Sequence, residues 1–133
     1  MRLINPAELG ASSGYSNGVL APANARILFV AGQIGWDRDH RLVASDFIAQ
    51  FEQALLNVLA VVEEAGGTSE DVARLTIYVT DKEEYLQDLE TLGHAYRRIM
   101  GHHYPAMALV EVKALLESGA RVEIEATAAI AQE

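Results

Sequence analysis

Cysteine is absent from the 133 residues, which rules out disulfides, thiol catalysis and thiolate metal sites. Basic residues are also scarce. Eight arginines and two lysines against nineteen acidic residues leave a formal charge of −9. Nucleic-acid binding needs a basic stripe that displaces counterions from phosphates. The only adjacent basic pair is Arg97-Arg98, so a nucleic-acid partner is disfavoured and the acidity suits solubility instead. No apolar run approaches the roughly 20 residues that a membrane-spanning helix needs. The opening MRLINPAELG has no apolar h-region, so a cytoplasmic protein is expected. No linker-like, repeated or low-complexity stretch divides the chain, and residues 1–133 read as a single domain.

What is present is a sequence of short periodic segments. NGVLA (17–21) and ILFVAGQI (27–34) are apolar and β-prone, and PANAR between them reads as a hairpin turn. From residue 46, Phe47, Phe51, Ala54, Leu55, Val58, Val61, Val62 and Ala65 recur at three- and four-residue steps, the mark of an amphipathic helix. Ser45 or Asp46 can cap its start and Gly66-Gly67 can close it. RLTIYVT (74–80) alternates as a strand. Asp81-x-x-Glu84 has capping-box spacing and opens a second helix that Gly101 stops. Two strands follow, from Ala106 and from Arg121. The order β-β-α-β-α-β-β suits an α+β layer with two helices on one face of a mixed sheet. Thr76, Tyr78, Met107, Leu109 and Thr127 are expected on the other face. That set is too apolar to leave wet, and a homo-oligomer packing sheets together would cover it.

Candidate chemistry is sparse. His102-His103 attract attention, but adjacent residues in an extended segment point to opposite sides, and no His/Asp/Glu set forms a complete metal cluster. No metal is expected. Ser12, Ser13 and Ser16 sit in no G-x-S-x-G elbow, and GQIG is too short for a phosphate-binding loop, so no cofactor is indicated. Glu123 and Glu125 share the face opposite Val122, Ile124 and Ala126. Two carboxylates there form either a general acid/base site or a solvated face paired with Arg121 or Lys113; alternation alone does not separate these.

Taken together, several landmarks resemble one family along nearly the whole chain. They are GYS (14–16), FVAGQIG (29–35), Q-x-x-x-A-L-x-N-V from Gln50, AGG-x-x-x-D-V-x-x-x-T-I-Y-V-T-D (65–81), YPA (104–106) and VEIEA (122–126). The family is the Rid, or YjgF-like, proteins, the reactive intermediate deaminases formerly called L-PSP endoribonucleases. The resemblance implies a chorismate mutase-like fold, a homotrimer and small-molecule clefts at the subunit interfaces. It implies Glu123 as the catalytic group ordering the attacking water, a backbone contact at Gly32, and Tyr15 closing the pocket. Ala31 stands where serine or threonine is usual, and Met107 where deaminating members carry the arginine that grips a substrate carboxylate. Met107 and Leu109 complete the expected lining, with His103, Tyr104 and Arg121 as candidates for its rim. A thioether does not replace a bidentate guanidinium. The implied activity is therefore hydrolytic deamination or tautomerisation of an enamine- or imine-like compound, without the usual anchor. The alternatives are a metabolite-binding trimer without turnover and, against the chain's charge, an endoribonuclease.

Overall fold

The computed structural model describes residues 1–132. The strands are β1 (Arg2–Ile4), β2 (Gly18–Leu20), β3 (Arg26–Ile34), β4 (Val72–Val79), β5 (Ala106–Glu111) and β6 (Val122–Ile130). The helices are α1 (Phe47–Glu64), α2 (Lys82–Leu86) and α3 (Leu89–Met100). The main sheet has the order β3-β6-β4-β5, antiparallel except for the parallel pair β4–β5. Helical side chains and the apolar side of this sheet share one core, so the expected α+β arrangement is what forms.

Helix α1 follows its sequence signals closely. The Asp46 side chain accepts from the Ala49 amide at 3.0 Å, satisfying one of the orphan donors of the first turn. At the other end Gly66 adopts φ 90°. The Gly67 and Gly66 amides then donate to the Val62 and Glu63 carbonyls at 3.0 and 2.9 Å, the paired bonds of a Schellman closure. Phe47, Phe51, Ala54, Leu55, Val58 and Val62 of the apolar stripe are buried along α1, with Leu59 and Gln50, whereas Val61 of that stripe is exposed. Gln50 is fully buried and fully used. Its amide donates to the Ala44 and Gly119 carbonyls, and its oxygen accepts from the Arg121 amide. Asn57 donates to the Ile34 and Trp36 carbonyls. The two polar residues of the Q-x-x-x-A-L-x-N-V motif therefore tie loops to the helix.

Three local expectations are corrected. The strand at Gly18–Leu20 does not form a hairpin with β3. It pairs antiparallel with β1, Leu3 opposite Val19, a strand too short to show periodicity in sequence. The second helix is two helices. Asp81 accepts from the Glu83 amide, but Glu84 does not complete a capping box, because its carboxylate is drawn to Arg121 at 2.7 Å. Asp88 then starts α3 as a fresh cap, accepting from the Thr91 amide and hydroxyl. Finally, Met107 and Leu109 do not lie on the second sheet face. They stand opposite Leu75 and Ile77, both fully buried, and pack against the core beneath the helices. A parallel neighbour in register must present the same face as its partner. The second face is apolar through other residues: Phe29 is 79% exposed, Ile27 52% and Val110 42%.

Candidate active site

The residues implicated in chemistry fall into two groups. The first surrounds the start of β5. Ser16 donates its hydroxyl to the Tyr104 carbonyl at 2.6 Å and its amide to the Pro105 carbonyl at 3.0 Å. These bonds strap the Ser13–Ser16 loop across the β5 entrance and leave Tyr15 41% exposed. Beneath the strap lies a cleft of about 330 Å³ between α2–α3 and β5, with Tyr85, Tyr96, Arg97, Tyr104 and Met107 among its walls. Tyr96 and Tyr104 stack with centroids 5.2 Å apart, and the Tyr96 hydroxyl donates to the His103 carbonyl at 2.7 Å. Burial pushes the Tyr96 and Tyr85 phenols above their ordinary range, so both are neutral donors at physiological pH. Leu109, one alternation further on, packs against the core.

The second group sits where β3 meets β6. The pairing slips between Val30 and Gln33, so Ala31 and Gly32 form a bulge that re-aims the strand. A methyl group on Gly32 would lie 2.8 Å from Glu123 Cδ. Glycine is thus what lets the carboxylate settle against the backbone. The two glutamates of β6 are not equivalent. The Tyr78 hydroxyl donates to Glu125 at 2.7 Å, and this bond, then burial, then the charges of Glu125 and Glu123, hold the Tyr78 phenol protonated above its ordinary range. Glu123 accepts no hydrogen bond among the described residues. Gly32 and Glu123 are therefore brought together. Neither is brought to Met107: β3 and β5 are opposite edges of the sheet, and Glu123 and Met107 project from opposite faces.

Two of the four histidines, His103 and His40, have structural partners. His103 Nε2 lies 2.7 Å from the Val72 carbonyl, and His40 stacks on Trp36. Among the described residues no three His, Asp or Glu side chains could hold a metal. Arg121 lies in a separate cavity with Asp46, Glu84 and Asp88, bound to Glu84 and to the Ser45 carbonyl. It is not at the rim of the Met107 cleft. Tyr104 is. In the sequence Arg97 stands out only as half of the one adjacent basic pair; the further signal was Gly93, four positions earlier on one helix face.

The fold thus presents a half-buried carboxylate, without a hydrogen-bond partner among the described residues, over a glycine bulge, and a tyrosine-walled cleft at the far sheet edge. The chain belongs to the family whose model is described as Endoribonuclease L-PSP, matched over residues 6–130, the Rid family. It is 33% identical over 129 residues, 96% of this chain and 88% of the relative, to the human 2-iminobutanoate/2-iminopropanoate deaminase. Among solved structures, the Rid family protein YyfB of Yersinia pestis superposes with a TM-score of 0.83 at 32% identity, covering 97% of this chain and 98% of that one. TdcF of E. coli with bound serine gives 0.67 at 30% identity over 92% of each chain. No helix of the described residues is long and apolar enough to cross a membrane.

Proposed function

We propose that this protein acts on a small enamine- or imine-like metabolite, by hydrolytic deamination or tautomerisation, in clefts between the subunits of a homotrimer. Glu123 is the acid/base. The observation that carries the proposal is the contrast within β6: Glu125 is occupied by Tyr78, whereas Glu123 stands free against Gly32. A catalytic carboxylate must be available to a water and placed to reach the reacting bond. In hydrolysis Glu123 takes a proton from water as its oxygen bonds to the imine carbon, and returns that proton to nitrogen. It then takes the new hydroxyl proton and delivers it to the leaving nitrogen, so that the C–N bond breaks, ammonia departs and a carbonyl remains. Gly32 positions the substrate through its backbone, Tyr15 covers it, and Ala31, Met107 and Leu109 give an apolar lining. The names of the deaminase relatives and the serine bound by TdcF support a small amino-acid-like substrate.

Assembly is part of the proposal. The two groups of residues lie on opposite edges and faces of one sheet, so they complete a site only when one subunit's β5 edge meets another's β3–β6 surface. Exposed Phe29, Ile27 and Val110 supply apolar area for that contact. The test is to generate short 2-imino acids in situ with an amino-acid oxidase and follow their decay with wild type and Glu123→Gln. Turnover that survives in the variant removes Glu123 from its role, and a monomer mass by light scattering at micromolar concentration removes the interface cleft.

A second reading, a metabolite-binding trimer without turnover, is favoured by Met107, because a thioether offers no carboxylate anchor. It requires ligand binding with no imine decay above background. An endoribonuclease is opposed by the charge of −9.

A further inference from the structure

The Met107 cleft contains a cation, although not on the strand. Arg97 is among its lining residues. Its position follows from Gly93, one helical turn earlier: a methyl group on Gly93 would lie 3.1 Å from Arg97 Nη1. The guanidinium thus lies back along α3, over the bare backbone of the glycine. Any larger side chain at 93 would contest that seat, since positions i and i+4 share one face of a helix. Other arginines near the helices are engaged: Arg98 pairs with Glu52 at 2.6 Å and Arg121 with Glu84 at 2.7 Å. Arg97 has no hydrogen-bonded or ion-paired partner among the described residues, in a chain with nineteen acidic side chains. A planar guanidinium beside the tyrosines of an otherwise uncharged cleft suits a carboxylate joined to a small apolar body.

We infer that Arg97 is the anion anchor of this cleft, taking from α3 the carboxylate of a small 2-imino or 2-oxo acid that Met107 is unable to hold. The inference rests on the cleft being the ligand site of the proposed function. It differs from that proposal in concerning binding alone, so the two fail separately. Arg97 holds the carboxylate in ground state and transition state alike, and its loss should raise KM with little change in kcat.

The experiment measures binding of 2-oxobutanoate and of its uncharged amide by titration calorimetry, using wild type, Arg97→Gln, Arg97→Lys, Arg98→Gln and Gly93→Ala. Arg97→Gln should weaken 2-oxobutanoate about ten- to a hundredfold, the range for a charge-assisted contact, and leave the amide unchanged. Arg97→Lys should recover part of the loss, and Arg98→Gln should resemble wild type. Gly93→Ala crowds the guanidinium while favouring the helix. It should weaken carboxylate binding with an equal or higher melting temperature, which a merely structural role would not produce. The inference is overturned by a wild type that binds no 2-oxobutanoate, by an Arg97→Gln variant that binds it normally, or by equal losses for acid and amide. If Arg97-dependent binding is found without imine turnover, the anchor stands and the reaction falls. If turnover is found and its KM is indifferent to Arg97→Gln, the reaction stands and the anchor falls.

Discussion

The β3 bulge and the β5 cleft use glycine in opposite ways. At the bulge a methyl on Gly32 would meet the Glu123 carboxyl carbon at 2.8 Å and its Cγ at 3.0 Å, the head and the stem of a side chain rooted on a central strand. Three residues on, a methyl on Gly35 would meet Gln50 Cα at 2.6 Å, which is backbone and does not yield. In the cleft the methyl on Gly93 meets only the far end of a long, flexible arginine at 3.1 Å. The bulge side is therefore closely packed and tolerates no added methyl, which suits a carboxylate proposed to move a proton. The cleft is more tolerant, with three tyrosines and the end of a long cationic side chain around one apolar floor. In the proposed function the chemistry belongs to the bulge side, and ligand choice to the cleft.

Separating the two regions should have the largest effect. Phe29→Asp puts a charge on the most exposed aromatic of the open sheet face. It should convert the proposed trimer to monomer by light scattering and abolish imine turnover at the same concentration, while circular dichroism stays native. Full activity in a monomeric variant would mean that one chain carries the whole site. Next in size, Glu123→Gln should lower kcat about 10²- to 10⁴-fold, the usual contribution of a positioned acid/base. The variant should still bind 2-oxobutanoate as wild type does. The same substitution at Glu125 should cost far less, because that carboxylate is committed to Tyr78.

A smaller effect sharpens the cleft side. Met107→Arg restores a strand cation, but beside Arg97 it faces a like charge in a confined space. In the Arg97→Gln background it should recover roughly tenfold of the lost carboxylate affinity. In the wild-type background it should gain less, partly through overpacking. The smallest effect concerns pH. Burial raises the Tyr96 phenol above its ordinary value of 10.0, so the folded state favours the protonated form. The stabilisation this supplies is fully present below pH 10 and is lost as pH rises beyond it. Wild-type melting temperature should fall on the alkaline side, and Tyr96→Phe should flatten that fall. The variant also gives up the hydrogen bond to the His103 carbonyl, at a cost of about 0.5–1.5 kcal/mol.

The bulge side was the more legible in sequence. Glu123 and Glu125 alternate with Val122 and Ile124, and that alone places them on one face. Which of the two is free was not readable, because the answer is Tyr78, 47 residues from Glu125 along the chain. The cleft side misled. Alternation gave Met107 and Leu109 a common face but not which one, and the choice depends on the parallel register with Leu75 and Ile77. The His102-His103 pair had no local clue to its role; His103 is explained by a carbonyl 31 residues away.

Local patterns by themselves determined the elements with dense periodicity or explicit caps: α1 from Asp46 to Gly66, the alternation of β4 and β6, and the stop at Gly101. These depend on residues within a turn or two of each other, where spacing and propensity act directly. Only the tertiary structure decided the pairing of β2 with β1, the break of the second helix at Asp88, and the commitment of Arg121 to Glu84. It also decided that Arg97 reaches the cleft beside Met107. Each of these depends on which distant group claims a hydrogen bond, a charge or a volume, and that competition is settled only when the layers pack.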